Sequence, residues 1–178
     1  MILSDSSILE EIHLGGIEIT PFNPKRLGSN SYDLTLGKKM AYYNSPILDA
    51  KLDNQLVYFD IPEDGFVVFP NKFYLGVTAE YTATDKYVPC IEGCSSVGRL
   101  GLAVHETAGF GDIGFKGHWT LEISSREPVR IYAGMPICQI YFMSLKGECL
   151  NPYNKKQNAN YSGQPNIPIG SKIHKKLF

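Results

Sequence analysis

The chain has 178 residues, enough to bury one sizeable core and too few for two ordinary domains. Its 17 Lys and Arg against 18 Asp and Glu leave a formal charge of −1, which excludes a net field drawing it to a nucleic acid polymer or an anionic membrane. Any anion it binds is held by local donors.

No basic stretch leads into a long apolar run at the start, and no window approaches ~18 uninterrupted apolar residues, so the expectation is a soluble, cytoplasmic protein. Cys90, Cys94, Cys138 and Cys149 lack the spacing of a small secreted scaffold and are expected as reduced thiols.

Ser4 or Asp5 can cap a short helix in which Ile8, Leu9 and Ile12 share a face, and Gly15 and Gly16 then end it. From Ile17 onward the chain reads as short β-branched and aromatic runs: IEITPF, SYDLTLG, KMAYY, GFVVFP, FYLGVTAEY, the VHETAG region, HWTLEIS, VRIYAG and ICQIYFMSL. With 17 Gly and 11 Pro as punctuation, this is an all-β barrel or sandwich pattern. Residues 146–178 are rich in Asn, Lys, Gly and Pro. They read as a tail or lid, either a disordered end or a segment ordered by a ligand or a neighbouring subunit, since Tyr153, Tyr161 and Ile167 to Ile169 exceed what a solvated tail needs.

A catalytic zinc is poorly supported. The run PCIEGC at 89–94 is one residue longer than the Pro-Cys-x-x-Cys of zinc nucleobase deaminases, no His-x-Glu precedes it, and His13, His105, His118 and His174 form no ligand pair. Nor do Ser95 and Ser96 lie in a nucleophile elbow. The loop GCSSVGRLG at 93–101 suits donors better: glycines admit close backbone approach, the serines add hydroxyls and Arg99 adds a charged fork. An ordinary turn between strands is the plainer reading of that loop.

Alternation in HWTLEIS puts Trp119, Leu121 and Ile123 on one face and Thr120, Glu122 and Ser124 on the other. Glu122 is therefore a candidate general base, or else an exposed strand glutamate. Asp112, between glycines in HETAGFGDIGFKG, suits a bend, and a carboxylate there can also meet a sugar hydroxyl or orient water. His105 reads as a partly buried strand histidine.

Taken together, EGCSSVGRLGLAVHETAGFGDIGFKGHWTLEIS at 92–124 resembles the core signature of the dCTP deaminases, in the superfamily they share with trimeric dUTPases. NSYDLTLG at 30–37, YAGMPICQIYF at 132–142 and the tail NPYNKKQNANYSGQPNIPIGSKI extend the likeness over nearly the whole chain. The resemblance implies one domain spanning 1–178, a distorted β-barrel of the β-clip (dUTPase-like) type. Residues 146–178 would be its nucleotide-covering arm, and it would form a homotrimer with active sites between subunits.

The resemblance also implies zinc-free hydrolysis of dCTP to dUTP and ammonia, with Glu122 as base and proton shuttle. Ser95, Arg99 and the backbone at Ala108 would place the water, the carboxylate and the phosphates. Cys94, Ser96, Val97 and Gly98 match the rest of the substrate loop, Asp112 the deoxyribose contact, and Thr120 and Leu121 the base pocket. Tyr153, Asn160 and Gln164 match contacts of the arm. Mg2+ is expected on the triphosphate oxygens and dTTP as an inhibitor.

Two positions depart from the pattern, both on the phosphate side: Cys94 stands where relatives carry a basic residue, and Asn160 where they carry a lysine. Lys155, Lys156 and Lys172 are candidates to compensate. The run TAGFGDIGF resembles, at Thr107 to Phe110, bifunctional members that go on to dUMP and diphosphate, although Ile113 stands where a proline or alanine is common. A dUTPase without deamination and a nucleotide-binding regulator without turnover are the other readings.

Overall fold

The computed structural model describes residues 1–176, so the last two positions assigned to the arm lie outside the described residues. Helix α1 (Asp5–His13) is capped by Ser4, whose hydroxyl accepts from the Ser7 amide at 3.3 Å. Ile8 is buried as expected, but Leu9 is 44% exposed and Glu11 is buried instead. Glu11 pairs with Lys86 at 2.5 Å, and that ion pair with the strand side of the molecule rotates the helix away from its purely apolar stripe.

Thirteen strands follow: β1 (Glu18–Thr20), β2 (Tyr32–Thr35), β3 (Lys39–Tyr43), β4 (Leu56–Asp60), β5 (Phe66–Val68), β6 (Tyr74–Val77), β7 (Tyr81–Ala83), β8 (Tyr87–Gly93), β9 (Leu102–Ala103), β10 (Lys116–Gly117), β11 (Thr120–Ser125), β12 (Val129–Ile131) and β13 (Pro136–Ser144). Between β8 and β9 lies a single helical turn, α2 (Ser95–Gly98). The expected mostly-β architecture with one N-terminal helix is present, but not a closed barrel. Among the described residues the strands form four open sheets, β1-β7-β10, β4-β3-β6-β11-β9, β12-β5 and β2-β13-β8. Most are too short to encircle a core. Strand β11 illustrates the switching that results: residues 120–123 pair with β6, and Ser124 and Ser125 with β9.

The core between the sheets is built from residues that alternate inward, among them Leu34, Leu121, Ile123, Ile131, Ile140 and Phe142. A buried carboxylate ties two sheets together: Glu80 accepts from Arg26 at 2.5 Å and from both the amide and hydroxyl of Thr35 at 2.8 Å. The VHETAG region, read as a strand, is an irregular crossing segment. β4, β8 and the two-residue strands β9 and β10 were not anticipated.

Among the described residues the tail is ordered against the rest of the same chain. Gln164 bridges Gly117 in parallel, with His118 donating to the Gln164 carbonyl at 3.0 Å and Gly163 to that of Lys116 at 2.8 Å. Gly117 permits this approach, because a Cβ there would stand 2.7 Å from the Gln164 backbone nitrogen.

Candidate active site

The polar face of β11 opens onto a cavity of about 620 Å³, lined on one side by Ala108, Asp112, Thr120 and Glu122 and covered on the other by Tyr153, Tyr161 and Gln164 of the tail. Six of the candidate site residues, Ala108, Asp112, Thr120, Glu122, Tyr153 and Gln164, therefore meet at one place. Trp119 and Phe115 form its aromatic wall, with ring centroids 4.4 Å apart. The Trp119 indole donates to Thr82 at 2.8 Å, and its far edge would strike any Cβ at Gly111. This close approach seats the bend that carries Asp112.

Glu122 is held by backbone at both ends. Its amide donates to Val104 at 2.9 Å, and its carboxylate accepts from the Glu106 amide at 2.9 Å. Thr120 accepts two hydrogen bonds on its hydroxyl oxygen, from the Gln164 side chain at 2.6 Å and the Ile169 amide at 2.9 Å. With both lone pairs used, the remaining function of that hydroxyl is to donate.

His105 packs beside Glu122 with neither ring nitrogen hydrogen-bonded. Burial lowers its pKa, and the charges of Glu122 and Glu92 partly offset that. His105 is partly buried as expected, but it lies outside any strand and no neighbour satisfies its ring, and sequence reasoning gave Glu106 no role.

A second cavity of about 580 Å³ shares Asp112, Tyr153 and Lys176 with the first and adds Lys155, Lys156 and the amides of Asn151, Gln157 and Asn158. Lys156 pairs with Asp112 at 3.1 Å at the junction. Farther along the tail, the Lys172 ammonium donates to the Asn160 carbonyl at 2.8 Å and lies over the Tyr161 ring. The Asn160 side-chain Nδ2 is buried with no hydrogen-bond partner.

The remaining candidates stand apart. None of residues 94–99 lines the cavity around Glu122. Ser95, Ser96, Gly98 and Arg99 are exposed on and after α2, and Val97 is buried beneath it. The Cys94 thiol points to Asp33 at 3.8 Å, and burial, reinforced by that carboxylate, pushes it up to about 11, so it is neutral near pH 7. Leu121 is fully buried on the opposite face of β11 and does not line the cavity. Among the described residues no three His, Cys, Asp or Glu side chains converge as a metal group, no helix is long and apolar enough to cross a membrane, and all four cysteines are free.

Residues 2–145 match the family described as dCTP deaminase-like. A protein of Clostridium acetobutylicum named "dCTP deaminase, dUMP-forming" is 48% identical over 94% of each chain. Proteins of the same name from Clostridium botulinum and Leptospira biflexa are 49% and 44% identical, over 94% of this chain and 96% and 95% of theirs. Among solved structures, 2'-deoxycytidine 5'-triphosphate deaminase from Agrobacterium tumefaciens superposes with a TM-score of 0.63 at 21% identity, covering 79% of this chain and 46% of that longer one, which establishes a shared fold.

Proposed function

Because this chain belongs to the dCTP deaminase family, we propose that it hydrolyses dCTP at C4 of the cytosine and carries the product on to dUMP and diphosphate. The observation that carries this reading is the Glu122 carboxylate facing a nucleotide-sized cavity in which Asp112, Thr120, Tyr153 and Gln164 also converge. In the first half-reaction Glu122, fixed by the Glu106 amide, takes a proton from a water held near the Ala108 backbone, and the hydroxide adds to C4. As the hydroxide adds, the C4=N3 electron pair moves onto N3; Glu122 then returns the proton to the exocyclic nitrogen, the C–N bond breaks as C4=N3 re-forms, ammonia leaves, and the C4 hydroxyl proton passes to N3 to give the uracil. Such general acid–base assistance is worth about 10²- to 10⁴-fold, and orientation supplies the rest. The Thr120 hydroxyl suits a pyrimidine acceptor, O2 or N3.

Of the two outcomes the TAGFGD run left open, dUMP formation is favoured by relatives of that name at 44–49% identity. In the second half-reaction water attacks the α-phosphorus, the bond to the bridging oxygen breaks, diphosphate leaves with the electron pair and Asp112 receives the water's proton. The lysine-lined cavity beside Asp112 supports a path for the phosphate chain, and Lys172 brings an ammonium to the position where Asn160 lacks one. Mg2+ fits on the phosphate oxygens, because it keeps waters and phosphate ligands in preference to an all-protein cage.

The separation of residues 94–99 from this cavity supports a site completed by a second copy of the chain in a homotrimer. There Ser95, Ser96, Gly98 and Arg99 would close on the phosphates while the arm, described from 146 to 176, covers the base and sugar of its own subunit. The free cysteines are in keeping with a cytoplasmic location, and dTTP, which shares the triphosphate and a pyrimidine ring, fits as a competitor.

Incubating the protein with Mg2+ and dCTP, dUTP or dCMP, with products resolved by ion-pair chromatography, tests the reading. Ammonia, dUMP and diphosphate from dCTP are expected. Release of dUTP alone would limit the enzyme to deamination. Cleavage of dUTP with dCTP untouched would make it a dUTPase, and binding without product a regulator. Glu122→Gln should abolish ammonia release and keep nucleotide binding.

A further inference from the structure

We propose that Glu106 is a positioning residue for Glu122, acting through a hydrogen-bonded latch to Ser124; this rests on the reading of Glu122 as the deaminating carboxylate. Glu122 and Ser124 are two residues apart on the same face of β11, and the irregular segment 105–109 crosses that face. Glu106 makes one contact to each: its amide donates to Glu122 Oε2 at 2.9 Å, and its own carboxylate Oε1 accepts from the Ser124 hydroxyl at 2.6 Å.

Backbone bonds fasten the ends of the segment, with Glu122 donating to Val104 at 2.9 Å and Ile91 to Gly109 at 2.7 Å. Among the described residues, the two Glu106 contacts are the hydrogen bonds that hold the stretch 105–108 between these ends. That stretch also contains Ala108, which lines the cavity. Glu106 is exposed, yet its carboxylate is turned back onto the strand that carries another carboxylate. A like-charged side chain stays in that position when a specific donor keeps it there, and Ser124 is that donor. Without the latch the Glu106 amide would wander from Glu122, and both the carboxylate and the Ala108 backbone would lose their fixed relation to the water.

Glu106→Ala and Ser124→Ala should each lower kcat for dCTP about tenfold, leaving KM within about twofold and the thermal unfolding midpoint unchanged. The double variant should be no slower than either single one, because both remove the same bond. Glu106→Gln keeps an acceptor oxygen for Ser124 and should restore most of kcat. A normal kcat in Glu106→Ala, a raised KM with a lowered unfolding midpoint, or failure of Glu106→Gln to rescue would each overturn the latch. Glu122→Gln, assayed in parallel, separates the two ideas: turnover in that variant defeats the role of Glu122 itself, whereas an inactive Glu122→Gln beside a fully active Glu106→Ala defeats the latch alone.

Discussion

Trp119, Leu121 and Ile123 are 7%, 0% and 0% exposed, while Thr120, Glu122 and Ser124 face the cavity side of the same strand. Period-two alternation was enough to set Leu121 and Ile123 apart from Thr120, Glu122 and Ser124, because side chains on a strand have no other choice of face; Trp119, just before β11, is buried yet its ring forms part of the cavity wall. Glu106 and His105 follow no such rule. Their surroundings come from a crossing loop, so nothing in their own neighbourhood of the sequence foretells them. His105 nonetheless makes a prediction. Burial lowers its pKa, so as pH falls below the unfolded value of about 6.5 the unfolded chain takes up a proton that the folded chain refuses. The folded state thus loses stability on acidification in that window. His105→Phe, which removes a ring whose nitrogens have no hydrogen-bond partner, should flatten the pH dependence of the unfolding midpoint between about pH 7 and about pH 5. An unchanged slope in circular dichroism melts would contradict this.

At the scale of elements, the strands legible in sequence were those with alternating or strongly β-branched runs, such as β11, β12 and β13. β8 was hidden because YVPCIEG carries a proline, a cysteine that reads with Cys94 as a metal-like pair, and a buried stretch without alternation. The tail had composition but no periodicity, so its order was undecidable. The structure resolves that through hydrogen bonds to β10 and β11 that need no repeating pattern. Gln164 is central: it is 4% exposed, its carbonyl accepts from His118 and its side chain donates to Thr120. Gln164→Ala preserves the backbone bridge and frees one lone pair of Thr120, so the Thr120 hydroxyl is no longer confined to donating. KM for dCTP should rise about three- to tenfold in steady-state assays, the range of one neutral hydrogen bond, with little change in unfolding midpoint. A normal KM would show that the tail covers the nucleotide without ordering Thr120.

The whole molecule divides the candidate residues into two groups, which do not meet in one cavity of the described chain. One group surrounds Glu122; the other, from Cys94 to Arg99, sits on and around α2 and leaves that cavity untouched. Sequence likeness can align both groups to one site, but spacing along a chain carries no information about which copy supplies each half. In a closed ring built from one heterologous interface, every site would take Glu122 from one subunit and Arg99 from its neighbour. Glu122→Gln and Arg99→Ala should each be inactive alone. Co-expressed in equal amounts, they should regain about a quarter of wild-type turnover, since only sites that draw each functional residue from the other variant are intact. Absence of recovery in purified mixed trimers would mean that both groups serve one protomer, and that the loop has to move toward Glu122 when the nucleotide binds.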